Sequence, residues 1–457
     1  TGYRNDQGGG IVEILGNNLV VSSFSANKNA YGVCSDSTNN VNDSGKISIE
    51  SLNNKITAET KESSGKSYAV SNQDGVNGEV NIKGNNYIEA KAPLKDNAYA
   101  IYSRGNGKVN INTDNNKDII NIIGRVYSDI NDKGKGEINL NLNGNLSYLT
   151  GNVDYKIENN TKGIINLGVS NKAVWKNENN SKVTNFVFDN GITDMTYDAE
   201  HQTITLENIS GNNGTFIMDI SGDDINQENG KTDFLKIENA DQSQKHFIKI
   251  GSSSINGLNN YDFDNKNPDN AIWIADANTN IIFEGEEFES IENIYNYTLE
   301  LDKNLRPDIN NSDNGNNWYI TGIEKKENEV TETIEDDMTL YYMNAAMARI
   351  EMDTLHKRLG DIRNYDAEEG VWARILSGQM EYDKSGYFKN NYTMVQAGYD
   401  KSRASENGVW FTGFGIHHRK GKTDFRNGDG ENKSLGLSIY KSWAGYDDQY
   451  FDIIGKY

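Results

Sequence analysis

A glycine followed by alternating apolar residues recurs six times in the first part of this chain, and no other feature limits its fold as tightly. The copies are Gly10-Ile11-Val12-Glu13-Ile14, Gly45-Lys46-Ile47-Ser48-Ile49, Gly78-Glu79-Val80-Asn81-Ile82, Gly107-Lys108-Val109-Asn110-Ile111, Gly136-Glu137-Ile138-Asn139-Leu140 and Gly163-Ile164-Ile165-Asn166-Leu167. Successive starts lie 35, 33, 29, 29 and 27 residues apart. A second marker falls between them: AYGVCS from Ala30, SYAVSN from Ser67 and AYAIYS from Ala98. Repetition at this spacing implies stacked units that share a core no single copy could bury alone. Within a copy, Val109 and Ile111 fall on one face and Lys108 and Asn110 on the other, as in a strand with one buried and one wet side. No helical period separates the strands, which disfavours leucine-rich and βα repeats. A propeller blade would need four strands in about 40 residues. Two or three short strands per repeat fit one coil of a parallel β-helix, and about seven coils at about 4.8 Å would build a rod of roughly 35 Å.

Composition agrees. The 457 residues include 44 glycines and only 3 prolines, with Asn and Asp at many turns, which suits short strands joined by tight turns. Acidic residues outnumber basic ones, 67 to 45, so nucleic acid is not an expected partner. Cys34 is the single cysteine, which rules out an intrachain disulfide framework or a thiolate metal cluster. No run of 18 apolar residues is long enough for a transmembrane helix. The chain opens mid-pattern at Thr1 without Met or an apolar leader, so more sequence is expected upstream.

From Thr203 the repeat fades while strand patterns continue at 215–220, 233–237, 246–250, 271–275, 295–301 and 317–322, with denser aromatics. A solenoid needs an end cap that departs from its repeat, and this segment is placed to supply one. The stretch from Glu327 to Glu335 is polar and acidic and reads as a linker. Met338, Tyr341, Ala345, Ala348, Met352, Leu355 and Leu359 then follow at alternating spacings of three and four, the stripe of a helix over about 333–359. Acidic residues at its start, Lys357 and Arg358 at its end and Gly360 beyond complement the helix dipole and stop. At roughly 40 Å it could cross a barrel-type membrane.

After Gly370 the alternation changes sense. Val371, Ala373 and Ile375 share a face opposite Arg374; Val395, Ala397 and Tyr399 oppose Gln396; Trp410, Phe414 and Ile416 form a third set. Leu435, Leu437 and Ile439 alternate with Ser434, Gly436 and Ser438, and Phe451 and Ile453 with Asp452 and Ile454. Apolar-out and polar-in strands are the signature of an outer-membrane barrel. The connections at 379–391 and 419–433 read as long and those at 400–407 and 444–449 as shorter, matching long outer loops and short inner turns. Five strands cannot close a barrel, so further strands are expected.

At this point the residues resemble a known family. Leu355-His356-Lys357-Arg358-Leu359-Gly360-Asp361-Ile362-Arg363, followed by Gly370-Val371-Trp372-Ala373-Arg374, is similar to the helix-to-barrel junction of the monomeric autotransporters of type Va secretion. Gln396-Ala397-Gly398-Tyr399-Asp400, Tyr440-Lys441-Ser442-Trp443 and Gly455-Lys456-Tyr457 fit as well. Upstream, Gly214-Thr215-Phe216, Asp233-Phe234-Leu235, Tyr295-Asn296-Tyr297-Thr298-Leu299 and Trp318-Tyr319-Ile320-Thr321-Gly322 resemble the passenger C-terminus of pertactin-like autotransporters. The resemblance covers about residues 204–457 and reaches 1–203 only as a generic β-helix. It implies an outer-membrane barrel of about twelve strands, a helix filling its pore, and a passenger exported to the cell surface. It also implies a cap that folds first and templates the β-helix. The lipid bilayer, the barrel-assembly machinery and periplasmic chaperones would be partners of a monomer. In some members an Asn-Asn pair before the residue matching Leu355 cyclises and cuts the chain. Here Asp353 and Thr354 stand there, and Asn344 lies well upstream, so no such cut is expected.

The expected fold is therefore all-β: a parallel β-helix passenger over 1–203, a passenger C-terminal cap over 204–325, a linker and pore-spanning α-helix over 326–365, and the first about five strands of a transmembrane β-barrel over 366–457. Chemistry is sparse. Asp43-Ser44-Gly45 faintly resembles a nucleophile loop, but the first histidine is His201 and the glycine starts a repeat strand. The acids from Asp223 and Asp224 to Asp233 could attract calcium, although a hydrated loop explains them. His417 and His418, adjacent on a strand, face opposite sides and cannot share a metal. Lys357, Arg358 and Arg363 could pair with barrel acids such as Asp452. No catalytic, cofactor or metal residue is assigned. The expected role is export and anchoring of a surface passenger, used for adhesion or host contact, with a host-surface ligand and without enzymatic activity. The alternatives are an enzyme passenger whose catalytic domain lies upstream, and a trimeric adhesin anchor.

Overall fold

The computed structural model describes residues 4–5, 11–36, 45–73, 77–113, 117–197, 201–228, 230–252, 254, 258, 261, 263, 268–289, 295–306, 315–330, 332–352, 369–384, 386–426, 428–447 and 449–457. The chain divides into two compact units, Thr1–Glu327 and Asn328–Tyr457.

The first unit is a parallel β-helix, and its two sequence markers form two of its walls. The glycine-led strands stack in register, so that Val12, Ile47, Val80, Val109, Ile138 and Ile165 form one apolar ladder. Ile14, Ile49, Ile82, Ile111, Leu140, Leu167, Phe186 and Ile209 form the next. The second marker gives a six-stranded parallel sheet in which Val33, Val70, Ile101, Val126 and Val153 are stacked. Nearly all these side chains are fully buried, and each fully buried aliphatic contributes about 1.5–3 kcal/mol. Gly84 sits where the first wall bends, at φ +98°, and a Cβ there would lie 1.8 Å from the Ser51 carbonyl oxygen, so no other residue fits.

The ladder outlasts the sequence repeat. Beyond Thr203, Thr203–Ser210 pairs in parallel with Ser181–Asp189 and Phe234–Ala240, and Gln244–Ile250 pairs with Ile281–Gly285. Backbone pairing needs only extended chain, so the motif can drift while the core fills with larger rings. Trp175, Phe186, Phe188, Phe216, Phe283 and Trp318 run through this core with successive centroids 4.8–6.3 Å apart, the separation at which aromatic pairs add to simple burial. Pairing then turns antiparallel: Ile272–Asn278 meets Gly315–Val330, and Phe288–Glu289 meets Tyr295–Lys303. These strands cover what would otherwise be an open, sticky edge.

The second unit is one helix, Glu332–Glu351, and five antiparallel strands: Gly370–Lys384, Gly386–Ser405, Gly408–Phe425, Gly428–Gly445 and Tyr450–Lys456. They are the opening strands of a transmembrane β-barrel. The outward row is apolar and exposed: Val371 is 85% exposed, Ile375 74%, Leu437 60% and Ile439 71%. The inward row is largely polar and buried, with Asn390, Gln396, His417, Arg419, Thr423, Ser438 and Ser442.

Three expectations need correction. The stretch 327–335 is no linker: strand continues to Val330 and helix begins at Glu332. The connections at 379–391 and 419–433 are not loops either. Pairing runs to Lys384↔Gly386 and Phe425↔Gly428, because residues such as Glu381 and Lys389 are polar where the strands project into water, not where they turn. Finally, the helix is rotated from the expected stripe. Met338, Tyr341, Ala345, Ala348 and Met352 are exposed, while Thr339, Met343 and Met347 are buried. The sequence carries a second i, i+4 set, and the sheet selects that one. Leu355, Leu359 and Gly360 lie outside the described residues.

Candidate functional site

The inner face of the five-stranded sheet holds the helix, and this seat is the chemical centre of the unit. At its middle, Met343 and Met347 pack on Phe388, with Tyr342, Ala346, Ile350, Met380, Tyr382 and Phe425 around them. Tyr342 meets Tyr382 at 5.3 Å between centroids, and Tyr382 stacks on Phe388 at 5.9 Å. Methionine suits a contact with a sheet whose inner row is otherwise polar, since its flexible thioether fills irregular gaps. The Thr423 hydroxyl lies 3.3 Å from Met343 Sδ.

Ion pairs hold both ends. Near the helix start, Arg426 Nη1 donates to Glu335 Oε1 at 2.9 Å. Thr339 Oγ1 donates to the Glu335 carbonyl at 2.7 Å and lies where a Cβ on Gly386 would be, 1.8 Å away, so the hairpin approaches the helix only because residue 386 is glycine. At the helix end, Arg419 Nε donates to Glu351 Oε1 at 2.8 Å, His417 Nε2 is 3.6 Å from Glu351 Oε2, and Lys456 Nζ bonds the Glu351 carbonyl. Arg419 Nη1 also reaches Asn432 Oδ1 at 2.5 Å, and Asn432 Nδ2 donates to Thr423 Oγ1 at 3.0 Å. Glu335 and Glu351 are 16 residues apart, about 24 Å of helix. The described helix is therefore clamped along the sheet from the level of His417 out to the hairpin at Arg426. Farther along the same face, Trp372 Nε1 donates to Tyr440 Oη at 2.8 Å, Tyr440 bonds Asp400, Arg374 bonds Gln396, and Ser442 bonds Asp452. The polar inner face thus seats a length of chain along it.

The sequence anticipated a polar network between helix and barrel. It expected helix cations against barrel acids, whereas the described contacts join helix acids Glu335 and Glu351 to sheet cations Arg426, Arg419 and Lys456. Lys357, Arg358, Arg363, Asp353 and Thr354 lie outside the described residues. His417 and His418 do face opposite sides; His417 is buried against Glu351 and His418 is exposed. Glu351 was missed because it lies off the counted stripe. The inward parity of Arg419 among apolar-outward neighbours was the available signal.

The other flagged residues serve the solenoid. Asp43 and Ser44 lie outside the described residues. Asp223 pairs with Lys231 at 3.2 Å, and Asp224 accepts the Lys231 and Thr232 backbone N–H groups. Asp233 accepts the backbone N–H groups of Gln202 and Asp219, each at 2.7 Å. Burial nevertheless pushes Asp233 up to about 8. These carboxylates cap backbone donors and do not converge on one point. His246 is fully buried, accepts the Gly214 N–H at 3.3 Å, and is driven down to about 4 by burial.

No family model matches the chain. Among curated proteins, serine protease EspP of Escherichia coli is 35% identical over 140 residues, 31% of this chain and 10% of that protein. Serine protease EspC of Escherichia coli O127:H6 is 25% identical over 291 residues, 63% of this chain and 20% of that protein. The serine protease SepA autotransporter of Shigella flexneri is 32% identical over 147 residues, 32% of this chain and 10% of that protein. The chain thus spans a tenth to a fifth of the length of these relatives. Their names overturn the expectation of a protein without enzymatic activity, since the relatives are proteases. A β-helix, an apolar-outward strand sheet with a clamped helix, and relatives of this kind make the chain an autotransporter, with its strands in the bacterial outer membrane and its β-helical passenger at the cell surface.

Proposed function

We propose that this chain is the stem, cap, pore helix and first barrel strands of an autotransporter that exports a serine-protease passenger. The observation that carries the reading is the helix clamped inside the polar face of the sheet, taken with relatives named as serine proteases. Among the described residues of the solenoid, His246 bonds Gly214 and Gln244, and His201 Nδ1 has no hydrogen-bond partner. On this reading the stem carries and displays the activity, and the nucleophile and base belong to another part of the passenger. The barrel acts as a monomer inserted by the barrel-assembly machinery. The functional segments divide near residues 203, 325 and 365, and Asp353-Thr354 leaves the passenger attached to its helix. The test is expression of the complete reading frame in bacteria. Intact cells should hydrolyse casein, and a fluorophosphonate should both label the surface protein and block that activity. Cells that display the passenger but neither bind the probe nor cleave substrate would sink the protease reading. A sharp processing site at residue 353 would sink the attached-passenger reading.

A second reading, adhesion to a host-surface ligand, has one observation in its favour. A groove of about 750 Å³ runs along the solenoid over Asn81, Asn110, Asn139, Asn166 and Asn185, whose side-chain amides form a largely half-buried, unbroken hydrogen-bonded row. Cell binding that persists in a catalytically inactive protein and falls on Asn110→Ala and Asn166→Ala would support it. Binding unaffected by those changes would remove it.

A further inference from the structure

The lipid-facing side of the strand sheet changes character abruptly at one rim. On Gly408–Phe425 the outward positions are Trp410, Thr412, Phe414, Ile416, His418, Lys420 and Lys422. Trp410 to His418 is about 27 Å of strand, a fair length for a tilted strand in hydrocarbon. Lys420 lies about 7 Å beyond His418, and Lys422 about 14 Å, which is the depth of lipid headgroups. At the same level Lys433 stands directly opposite Lys420, and Glu431 opposite Lys422. Like charges opposed across an antiparallel pair repel, and one carboxylate serves both flanking lysines: Glu431 is 3.6 Å from Lys420 Nζ and 3.3 Å from Lys433 Nζ. At this level three lysines stand against one carboxylate, with the Asp424–Asp429 pair one outward position farther from the belt, in a chain whose net charge is −22.

On the other flank, Thr393 and Asn391 face Lys420 and Lys422, with Ser377 and Gln379 one strand farther on. These six side chains border a shallow cleft of about 550 Å³, and the Ser377 and Thr393 hydroxyls are 3.2 Å apart. Hydroxyl, amide and ammonium donors thus meet just above an apolar belt. The opposite rim differs: Trp410 and Trp443 lie there with centroids 6.4 Å apart, and Lys441 sits over the Trp410 ring at 5.0 Å.

We propose that the Lys420–Lys422–Lys433 rim binds the phosphate of an anionic lipid in the outer leaflet, with the acyl chains lying on Phe414, Ile416, Leu435 and Leu437. The leaflet follows from the hairpins at Lys384↔Gly386 and Phe425↔Gly428, which stand farther from the belt than the turn at Ser405↔Gly408. Barrels place their longer extensions outside the cell. The proposal rests on the outer-membrane placement of the strands.

The test uses the whole chain in neutral detergent micelles doped with a phosphorylated glycolipid, lipid A, or with its dephosphorylated form. Lipid retained after gel filtration is quantified at low and high salt. Wild-type protein should retain the phosphorylated lipid, lose it as salt rises, and ignore the dephosphorylated one. The triple change Lys420→Gln, Lys422→Gln and Lys433→Gln should weaken retention about a hundredfold, and Lys422→Gln alone about fivefold. Lys441→Gln at the opposite rim should change nothing. Because these side chains point into lipid and water, far-ultraviolet circular dichroism should be unaltered. Equal retention of both lipids, or undiminished retention by Lys422→Gln and the triple variant, overturns the proposal. So does an equal loss in Lys441→Gln.

Discussion

The solenoid wall and the membrane sheet are written in the same period-two alphabet and read in opposite senses. In the solenoid, Val80 and Ile82 point inward and are buried, while Glu79 and Asn81 meet water. In the sheet, Val371 and Ile375 point outward and are exposed, while Arg374 and Gln396 face inward and bond one another. Alternation alone fixes a strand with two unlike faces; it leaves open which face is the inside. The strand pairing supplies the answer. Parallel coils stack identical positions and close around a narrow core that only apolar side chains can fill. Antiparallel strands with inward polar residues cannot enclose a dry core, so their apolar row must meet lipid.

The sharpest way to break this comparison is to cut the same residue type on both sides. Phe188 is fully buried between Phe186 and Phe216, whereas Phe414 is 59% exposed on the outward row. Phe188→Ala should cost about 3–5 kcal/mol in urea unfolding, through lost burial and the cavity left behind. Phe414→Ala in detergent should cost less than about 1 kcal/mol. Comparable losses at the two sites would mean that the outward row is packed against protein.

Adding charge should reverse the ranking of tolerance along the outward rows. Phe414 lies at mid-belt, opposite Tyr399 and Ile439. Phe414→Lys should destabilise the bilayer-inserted sheet by about 2–4 kcal/mol. A lysine at an outward solenoid position is already present as Lys83, which is exposed. Lys83→Gln should be close to neutral in the same denaturation series.

Acid should weaken the solenoid through His246. Its pKa is lowered by burial to about 4, below the ordinary imidazole value of 6.5. Its contribution is therefore full above the unfolded value and is lost as pH falls through about 4, amounting to about 3 kcal/mol. Asp233 has the opposite sign: raised to about 8, it stabilises below 3.8 and loses that stabilisation as pH rises through its folded value. The two partly cancel between pH 4 and 6.5. The measurement is thus the difference between wild type and His246→Phe, in urea midpoint against pH. A difference that does not change between about pH 7 and about pH 3.5 would refute a buried neutral histidine.

Legibility followed the strength of the pattern. The stacked Ile, Val and Leu positions were readable because six copies kept the same glycine-led alternation. The apolar-outward strands were readable because the outward residues are large and uninterrupted. The turns at Lys384 and Phe425 were not, because a strand whose outer face is polar and stands in water looks like a loop. The helix face was misplaced because Met343, Met347 and Ile350 make a stripe as regular as the one counted, and only the sheet distinguishes them. Glu351 with Arg419 was illegible for another reason: 68 residues separate them, and no local pattern joins such a pair.

The smallest effect should come from two hydrogen-bonded asparagine rows that differ only in their exposure. Asn139 donates to Asn110 Oδ1 at 2.7 Å and accepts from Asn166 Nδ2 at 2.5 Å on the wet face of the solenoid. Asn86 accepts from Asn54 Nδ2 and donates to Asn112 Oδ1, each at 3.0 Å, where all three side chains are buried. On Asn139→Ala the neighbouring amides regain water, so the cost should be about 0.5–1.5 kcal/mol. On Asn86→Ala the neighbours keep no solvent in exchange, and leaving them unmatched should cost about 1–3 kcal/mol. Urea midpoints of the two variants decide the matter. If Asn139→Ala proves the costlier change, the wet row is not in simple exchange with water, and something else must be holding it in place.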